Sequence, residues 1–301
     1  MIKLNLSLFI VLLCLTTYSQ AQTSNPKQDI FPKGTTFINN ISYAGDTLKK
    51  HLLDIYLPPV TKSIYPLVVW IHGGGWKMND KYSDMSYMTQ TLKGFMDKGY
   101  AVASINYRYS TDVPFPGQIQ DCNQAVEFLY QNAAKYKLDR ERIAVIGFSA
   151  GGHLASLMGL SNNSNIKEFY HDGKKPGFRI KLVLDFYGPS DLLSLKESTV
   201  NVSPNPITQL LGAPIVDRPD LGKIASPVTY IDKTDPPFLI VQGEKDEAVE
   251  YMQSVSLSLH LKLADVKNEL IIVPNAPHFG VMFDAENIRE KVFQYLDEYV
   301  K

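Results

Sequence analysis

Val145-Ile146-Gly147-Phe148-Ser149-Ala150-Gly151-Gly152-His153-Leu154-Ala155 is the stretch whose reading decides the fold. The apolar run 143–146 has the composition of a strand covered on both faces. It ends at Gly147, and small residues then open a helical pattern. This is G-x-S-x-G in the order strand, sharp turn, helix. A turn this tight leaves room only for glycine on either side of the central serine. It lifts the Ser149 hydroxyl above the sheet and sets it at a helix N-terminus, where unpaired N–H groups favour developing negative charge. The plainer alternative is a strand–helix turn whose serine is only a cap. The rest of the chain decides between the two.

A serine hydroxyl near neutral pH is a poor nucleophile. It needs a base to take its proton and a carboxylate to orient that base. Two later stretches supply both after buried strands. Residues 237–242 are apolar and lead into Gly243-Glu244-Lys245-Asp246, and 269–273 lead into Asn275-Ala276-Pro277-His278. Reacting groups collect outside the carboxyl ends of parallel strands. The order Ser149, Asp246, His278 is the Ser…Asp…His order of the α/β-hydrolase arrangement. Asp246 also suits plain turn chemistry, and Glu244 and Glu247 compete for its place.

A third apolar run, 66–71, enters His72-Gly73-Gly74-Gly75-Trp76. Three glycines in a row are entropically costly unless the backbone needs unusual φ/ψ or close approach. One function for such a loop is to offer backbone N–H groups to an oxyanion, with Gly74 and Gly75 joined by Ala150 as donors. The alternatives are a turn or an anion nest of unrelated purpose. His72 leads the glycines and suits bracing better than catalysis. Trp76 either walls the pocket or packs the loop. His153, in the helix after the serine, reads as a packing group or one behind the site. His51, His171 and His260 belong to no constellation.

Between these landmarks the chain alternates strand and helix. Residues 35–43 and 50–57 alternate apolar and polar around Ala44-Gly45-Asp46, which predicts an antiparallel hairpin at a sheet edge. Helices are expected over 85–98, 251–263 and 285–300. Ile119, Cys122, Val126, Leu129 and Ala133 mark one more. Strands over 100–107 and 181–187 complete a mostly parallel sheet with helices on both faces, an α/β class. The rhythm breaks over 190–229, where five prolines interrupt short apolar pieces. That segment is expected to be a lid-like insertion with short helices over the active-site face. Residues 34–301 are read as one domain.

Composition limits the partners. The chain has 301 residues, 45% hydrophobic and 20% charged, with a formal net charge of −1. A near-neutral chain exerts no bulk attraction on nucleic acid. Neither H-E-x-x-H nor C-x-x-C occurs, so no metal or other cofactor is expected. The partner is a small-molecule or oligosaccharide ester; oligomeric state is not encoded legibly. Lys3, the apolar run 4–15 and the small pair Ser19 and Ala21 predict a signal peptide over 1–21, cleaved after Ala21, and so a secreted or periplasmic protein. The run is too short for a stable membrane anchor. Residues 22–33 form a polar lead-in. With Cys14 removed, Cys122 has no intramolecular partner and reads as core filling.

His72-Gly73-Gly74-Gly75-Trp76, Gly147-Phe148-Ser149-Ala150-Gly151-Gly152 and Ala276-Pro277-His278 together resemble α/β-hydrolase fold esterases near the hormone-sensitive-lipase-like branch. The nearer resemblance is to the feruloyl and acetyl (xylan) esterases of plant-polysaccharide breakdown. It extends from about Leu53 to the last helix. It implies a triad of Ser149, Asp246 and His278, with oxyanion donors at Gly74, Gly75 and Ala150. It also implies a serine carboxylesterase that acts through an acyl-enzyme without a cofactor. Phe148 stands where many lipase-like relatives carry an acid, which points away from the lipase branch. Phe148 and Trp76 are candidates for the pocket. General short-chain esterases, lipases, arylformamidases and peptidases share the fold.

Overall fold

A computed structural model describes residues 28–195 and 205–300. The expected signal peptide, residues 22–27 of the lead-in and residues 196–204 of the expected insertion lie outside the described residues.

One eight-stranded sheet runs through the molecule. Its strands are β1 (Thr36–Ser42), β2 (Leu52–Leu57), β3 (Tyr65–Ile71), β4 (Ala101–Ile105), β5 (Leu138–Phe148), β6 (Ile180–Phe186), β7 (Phe238–Gly243) and β8 (Asn268–Val273). Their spatial order is β1-β2-β4-β3-β5-β6-β7-β8. The first three pair antiparallel, and from β4 through β8 every pairing is parallel. The hairpin read from the alternation over 35–57 therefore forms the antiparallel edge. A 3₁₀ turn over Lys49–His51 shortens its second strand.

The helices are α1 (Thr89–Lys98), α2 (Gly117–Gln131), α3 (Ala150–Ser161), α4 (Pro206–Leu211), α5 (Pro219–Ala225), α6 (Met252–Leu263) and α7 (Glu286–Tyr299). They cover both faces of the sheet, which is why the central strands read as continuous apolar runs. Side chains alternate across each strand. Ile143 and Val145 of β5 enter one core with α2, α3 and α6. Ala144, Ile146 and Phe148 enter the other with α1 and α7. The expected helix over 85–98 begins with a separate 3₁₀ turn, Met85–Tyr87, before α1.

Helix α3 is buried along its whole length. The sheet lies beneath it, and α5 and the 3₁₀ turn Pro227–Tyr230 cover its outer side, contributing Ala225 and Val228 to the core. A helix whose residues are apolar or small apart from His153, with no charged face, belongs in the interior. The described part of the insertion supplies that cover. Asn205 caps α4 through Oδ1, which accepts from Ile207 N at 2.8 Å, with Pro206 in the first turn. Leu210 and Leu211 join the core, and Leu210 O accepts from Phe115 N at 2.7 Å. These short helices are integral walls, and Pro206 reaches the cleft described next.

Candidate active site

The turn from β5 into α3 places Ser149 in a backbone conformation that side chains seldom adopt, φ 53° and ψ −118°. Two close approaches enforce it. A Cβ on Gly147 would lie 2.1 Å from Gly151 O, and one on Gly151 would lie 2.1 Å from Ile71 O at the end of β3. Only glycine lets the helix start this near the strands. Ser149 N donates to Phe186 O at 2.9 Å, which pins the turn to β6.

Two loops bring their side chains to this serine. His278 follows β8, and its Nε2 lies 2.8 Å from Ser149 Oγ. Its Nδ1 lies 2.7 Å from Asp246 Oδ2, in the loop after β7. The Asp246 carboxylate is fully buried and the His278 side chain largely so. Asp246 Oδ1 accepts from Ala248 N at 2.9 Å and Val249 N at 2.8 Å, and Gln242 Nε2 donates to Oδ2 at 2.8 Å. Hydrogen bonds to both oxygens satisfy a carboxylate that water does not reach. Of the three acids in this loop, Glu244 accepts from Asn275 N at 2.8 Å and Glu247 is exposed, and Asp246 is the one that bonds the imidazole.

The glycine loop turns back beside the serine. Gly74 has φ 114° and a Cβ there would collide with Met78 O at 2.4 Å. The N–H groups of Gly74, Gly75 and Ala150 have no protein partner among the described residues. Gly73 N instead donates to Asp84 Oδ2 at 2.8 Å. His72 is buried behind the loop, stacked on Tyr107 with centroids 4.4 Å apart. Its Nδ1–H donates to Gly73 O at 2.7 Å. Burial pushes it down to about 4, so the ring is neutral at physiological pH.

Trp76 and Phe148 do not line the pocket. Trp76 is buried and donates from Nε1 to His153 Nδ1 at 3.2 Å. His153 in turn donates from Nε2 to Ala225 O at 2.7 Å. Accepting at Nδ1 fixes the proton on Nε2, and burial holds this ring neutral too, down to about 4. One histidine thus ties the glycine loop, α3 and α5 together. Phe148 sits on the sheet face away from the serine, between Trp70 at 4.5 Å and Phe186 at 5.2 Å. Another buried group supports the turn from below. Asp185 Oδ2 accepts from Ser156 Oγ at 2.7 Å and Oδ1 from Gly188 N at 2.9 Å, and burial pushes its carboxyl up to about 6.

The cleft itself has a volume of about 970 Å³. Ser149, His278, Gly74 and Gly75 form its floor, and Met78, Asp84, Tyr87, Tyr187, Pro206 and Phe279 are among its walls. Asp84 carries the Tyr87 hydroxyl as well as Gly73 N, and burial raises its carboxyl above the usual range. Tyr87 Oη lies 3.2 Å from Tyr187 Oη, and the Tyr187 ring packs edge-on against His278 at 5.1 Å. Sequence reasoning missed Asp84, Tyr87, Tyr187 and Gln242. Tyr187 and Gln242 lie at or just past strand ends on the serine's side of the sheet, a usable signal. Asp84 and Tyr87 lie at the start and end of the short 3₁₀ turn before α1 and gave none.

Comparisons with known proteins agree with this architecture. A family model, BD-FAE, matches residues 53–261, more than half of the chain. Esterase LipQ of Mycobacterium tuberculosis (strain ATCC 25618 / H37Rv) is 31% identical over 244 residues, covering 76% of this chain and 54% of that protein. The chain spans about half the length of the curated relatives it matches. Among solved structures, a truncated form of a carbohydrate esterase from gut microbiota superposes with a TM-score of 0.77 at 30% identity, covering 90% of this chain and 97% of that one. A bifunctional GH43-CE protein of Bacteroides eggerthii gives a TM-score of 0.80 at 36% identity, covering 88% of this chain and 35% of that one. Its open, mostly parallel sheet and the span of the match place this chain in the BD-FAE family, on the α/β-hydrolase fold.

Proposed function

We propose that this protein is an exported serine carboxylesterase that removes acetyl or aromatic acyl groups from plant-polysaccharide esters. The observation that carries the chemistry is the unbroken chain Ser149 Oγ, His278 Nε2, His278 Nδ1, Asp246 Oδ2, with contacts of 2.8 and 2.7 Å. Ser149 Oγ attacks the ester carbonyl while His278 takes its proton. Asp246 stays ionised and holds the imidazolium. The free N–H groups of Gly74, Gly75 and Ala150 receive the oxyanion, and each such donor contributes about 3 kcal/mol to the transition state. The imidazolium then protonates the departing alcohol. A water repeats the sequence on the acyl-Ser149 ester and releases the acid.

The carbohydrate assignment draws support from the family and from the carbohydrate esterases among the structural relatives. Export draws on the charged, apolar and small-residue pattern of residues 1–21. The test is release of acetate and ferulate from xylan by the purified protein, with Ser149→Ala as control and p-nitrophenyl acetate and butyrate in parallel. Release lost in the control supports the reading. Turnover of the nitrophenyl esters with none of xylan would replace it with a general short-chain esterase. N-terminal sequencing of material secreted by the source cell tests export, and a retained Met1 refutes it.

A further inference from the structure

Gln242 is the penultimate residue of β7 and is completely buried among apolar strand neighbours. An unpaired amide there would be costly, so its bonds deserve a full account. Nε2 donates to Asp246 Oδ2 at 2.8 Å, to Val249 O at 3.1 Å and, at a longer 3.4 Å, to Gly243 O. Ser254 Oγ, on α6, donates to Oε1 at 2.8 Å. All three partners of Nε2 only accept, which fixes the orientation of the amide without ambiguity. Leucine or methionine would fill the same space with no polar cost. The amide is there for what it bonds.

Asp246 Oδ2 is also the oxygen that accepts from His278 Nδ1 at 2.7 Å. The amide and the imidazole therefore draw on the negative charge of a single oxygen. We propose that Gln242, locked by Ser254, is a positioning residue: it holds the Asp246 carboxylate in line with His278 and weakens that carboxylate's hold on the imidazolium. The proposal rests on the triad assigned above. His278 is also faced by Ser149 Oγ, the edge of Tyr187, the Phe279 ring and the charge of Asp84, with Tyr87 bonded to Asp84. A substitution at position 242 leaves all of these in place. With the amide gone, charge concentrates on Oδ2, the imidazolium is held more firmly, and the neutral base appears only at higher pH.

The experiment is the pH dependence of kcat and KM for p-nitrophenyl acetate, in wild type, Gln242→Leu, Gln242→Met, Ser254→Ala and Ser149→Ala. Circular dichroism and thermal melting confirm that each variant is folded. For Gln242→Met and Gln242→Leu, the acid limb of kcat/KM is expected to move up by on the order of half a pH unit or more. Plateau kcat is expected to fall about tenfold, with KM within about twofold. Ser254→Ala is expected to move the limb in the same direction by less. A purely structural role would lower the melting temperature and leave the limb where it is. Folded position-242 variants with the wild-type acid limb would overturn the proposal. If neither of them folds, an unmoved limb in Ser254→Ala does so. Activity surviving in Ser149→Ala would instead remove the serine mechanism itself, so the two failures are distinct.

Discussion

On the floor of the cleft, Ser149, Gly74 and Gly75 hold their places through backbone geometry: a strained φ at the serine, no room for a Cβ at Gly74, a left-handed φ at Gly75, and strand ends that fix each loop. On the walls, Tyr87 and Phe279 are held by side-chain contacts, and Phe279 stays 61% exposed. A floor fixed by backbone sterics tolerates almost no change. A wall fixed by side chains can change its residues and keep the fold. The contrast explains how one scaffold serves many esters.

The largest expected effect tests the floor as chemistry. Ser149→Ala should lower kcat/KM by about 10⁵-fold, roughly 7 kcal/mol, while the melting temperature holds or rises. A fluorophosphonate probe should label wild type and leave the variant unlabelled.

The next tests the floor as geometry. Gly151→Ala puts a methyl 2.1 Å from Ile71 O and should cost about 3 kcal/mol or more in urea denaturation. Gly75→Ala meets nothing nearer than Pro206 Cβ at 3.7 Å and should cost only the left-handed strain at φ 56°, about 1 kcal/mol. Equal losses at the two positions would erase the distinction between close approach and conformational strain.

Acid separates the supports beneath the cleft. His72 and His153 are held neutral, each near 4 against an ordinary value of 6.5. Because the folded values lie below the unfolded ones, their contribution is intact above about pH 6.5 and is lost as pH falls toward 4. The limit is about 3 kcal/mol for each ring. Asp185 works the other way. Its carboxyl is raised from 3.8 to about 6, so it disfavours the fold at neutral pH and relents as pH falls through that window. Urea midpoints at pH 7.5 and 4.5 should show a net fall that Asp185→Asn makes steeper, by raising the pH 7.5 value more than the pH 4.5 one.

The smallest effect belongs to the walls. Phe279→Ala should leave kcat for an acetyl ester within about twofold. It should raise KM for an aromatic acyl ester several-fold, on the order of 1 kcal/mol of lost ring contact. Steady-state kinetics with the two esters checks it.

What the sequence disclosed follows the same division. Strand–turn–helix order, the glycines at 147 and 151 and the two late strand ends were legible because backbone geometry leaves little choice at those points. So were the edge hairpin and the parallel run of strands. Phe148 was misplaced for a local reason: it lies two residues beyond Ile146, and strand alternation turns both toward α1 and α7. Trp76 belonged with the loop's own packing, because its indole finds a partner only in His153, far along the chain. Asp84, Tyr87 and Gln242 owe their roles to contacts between distant segments that no local pattern announces.

The enclosure of α3 on every side has a kinetic corollary. Its amides can exchange with deuterium, and its bonds meet a protease, only when the whole molecule opens. Ser149, the proposed nucleophile, is the residue from which that helix starts. Partial fraying at the β1–β2 hairpin edge, at the far end of the sheet from the loops that carry Asp246 and His278, is therefore expected to spare turnover.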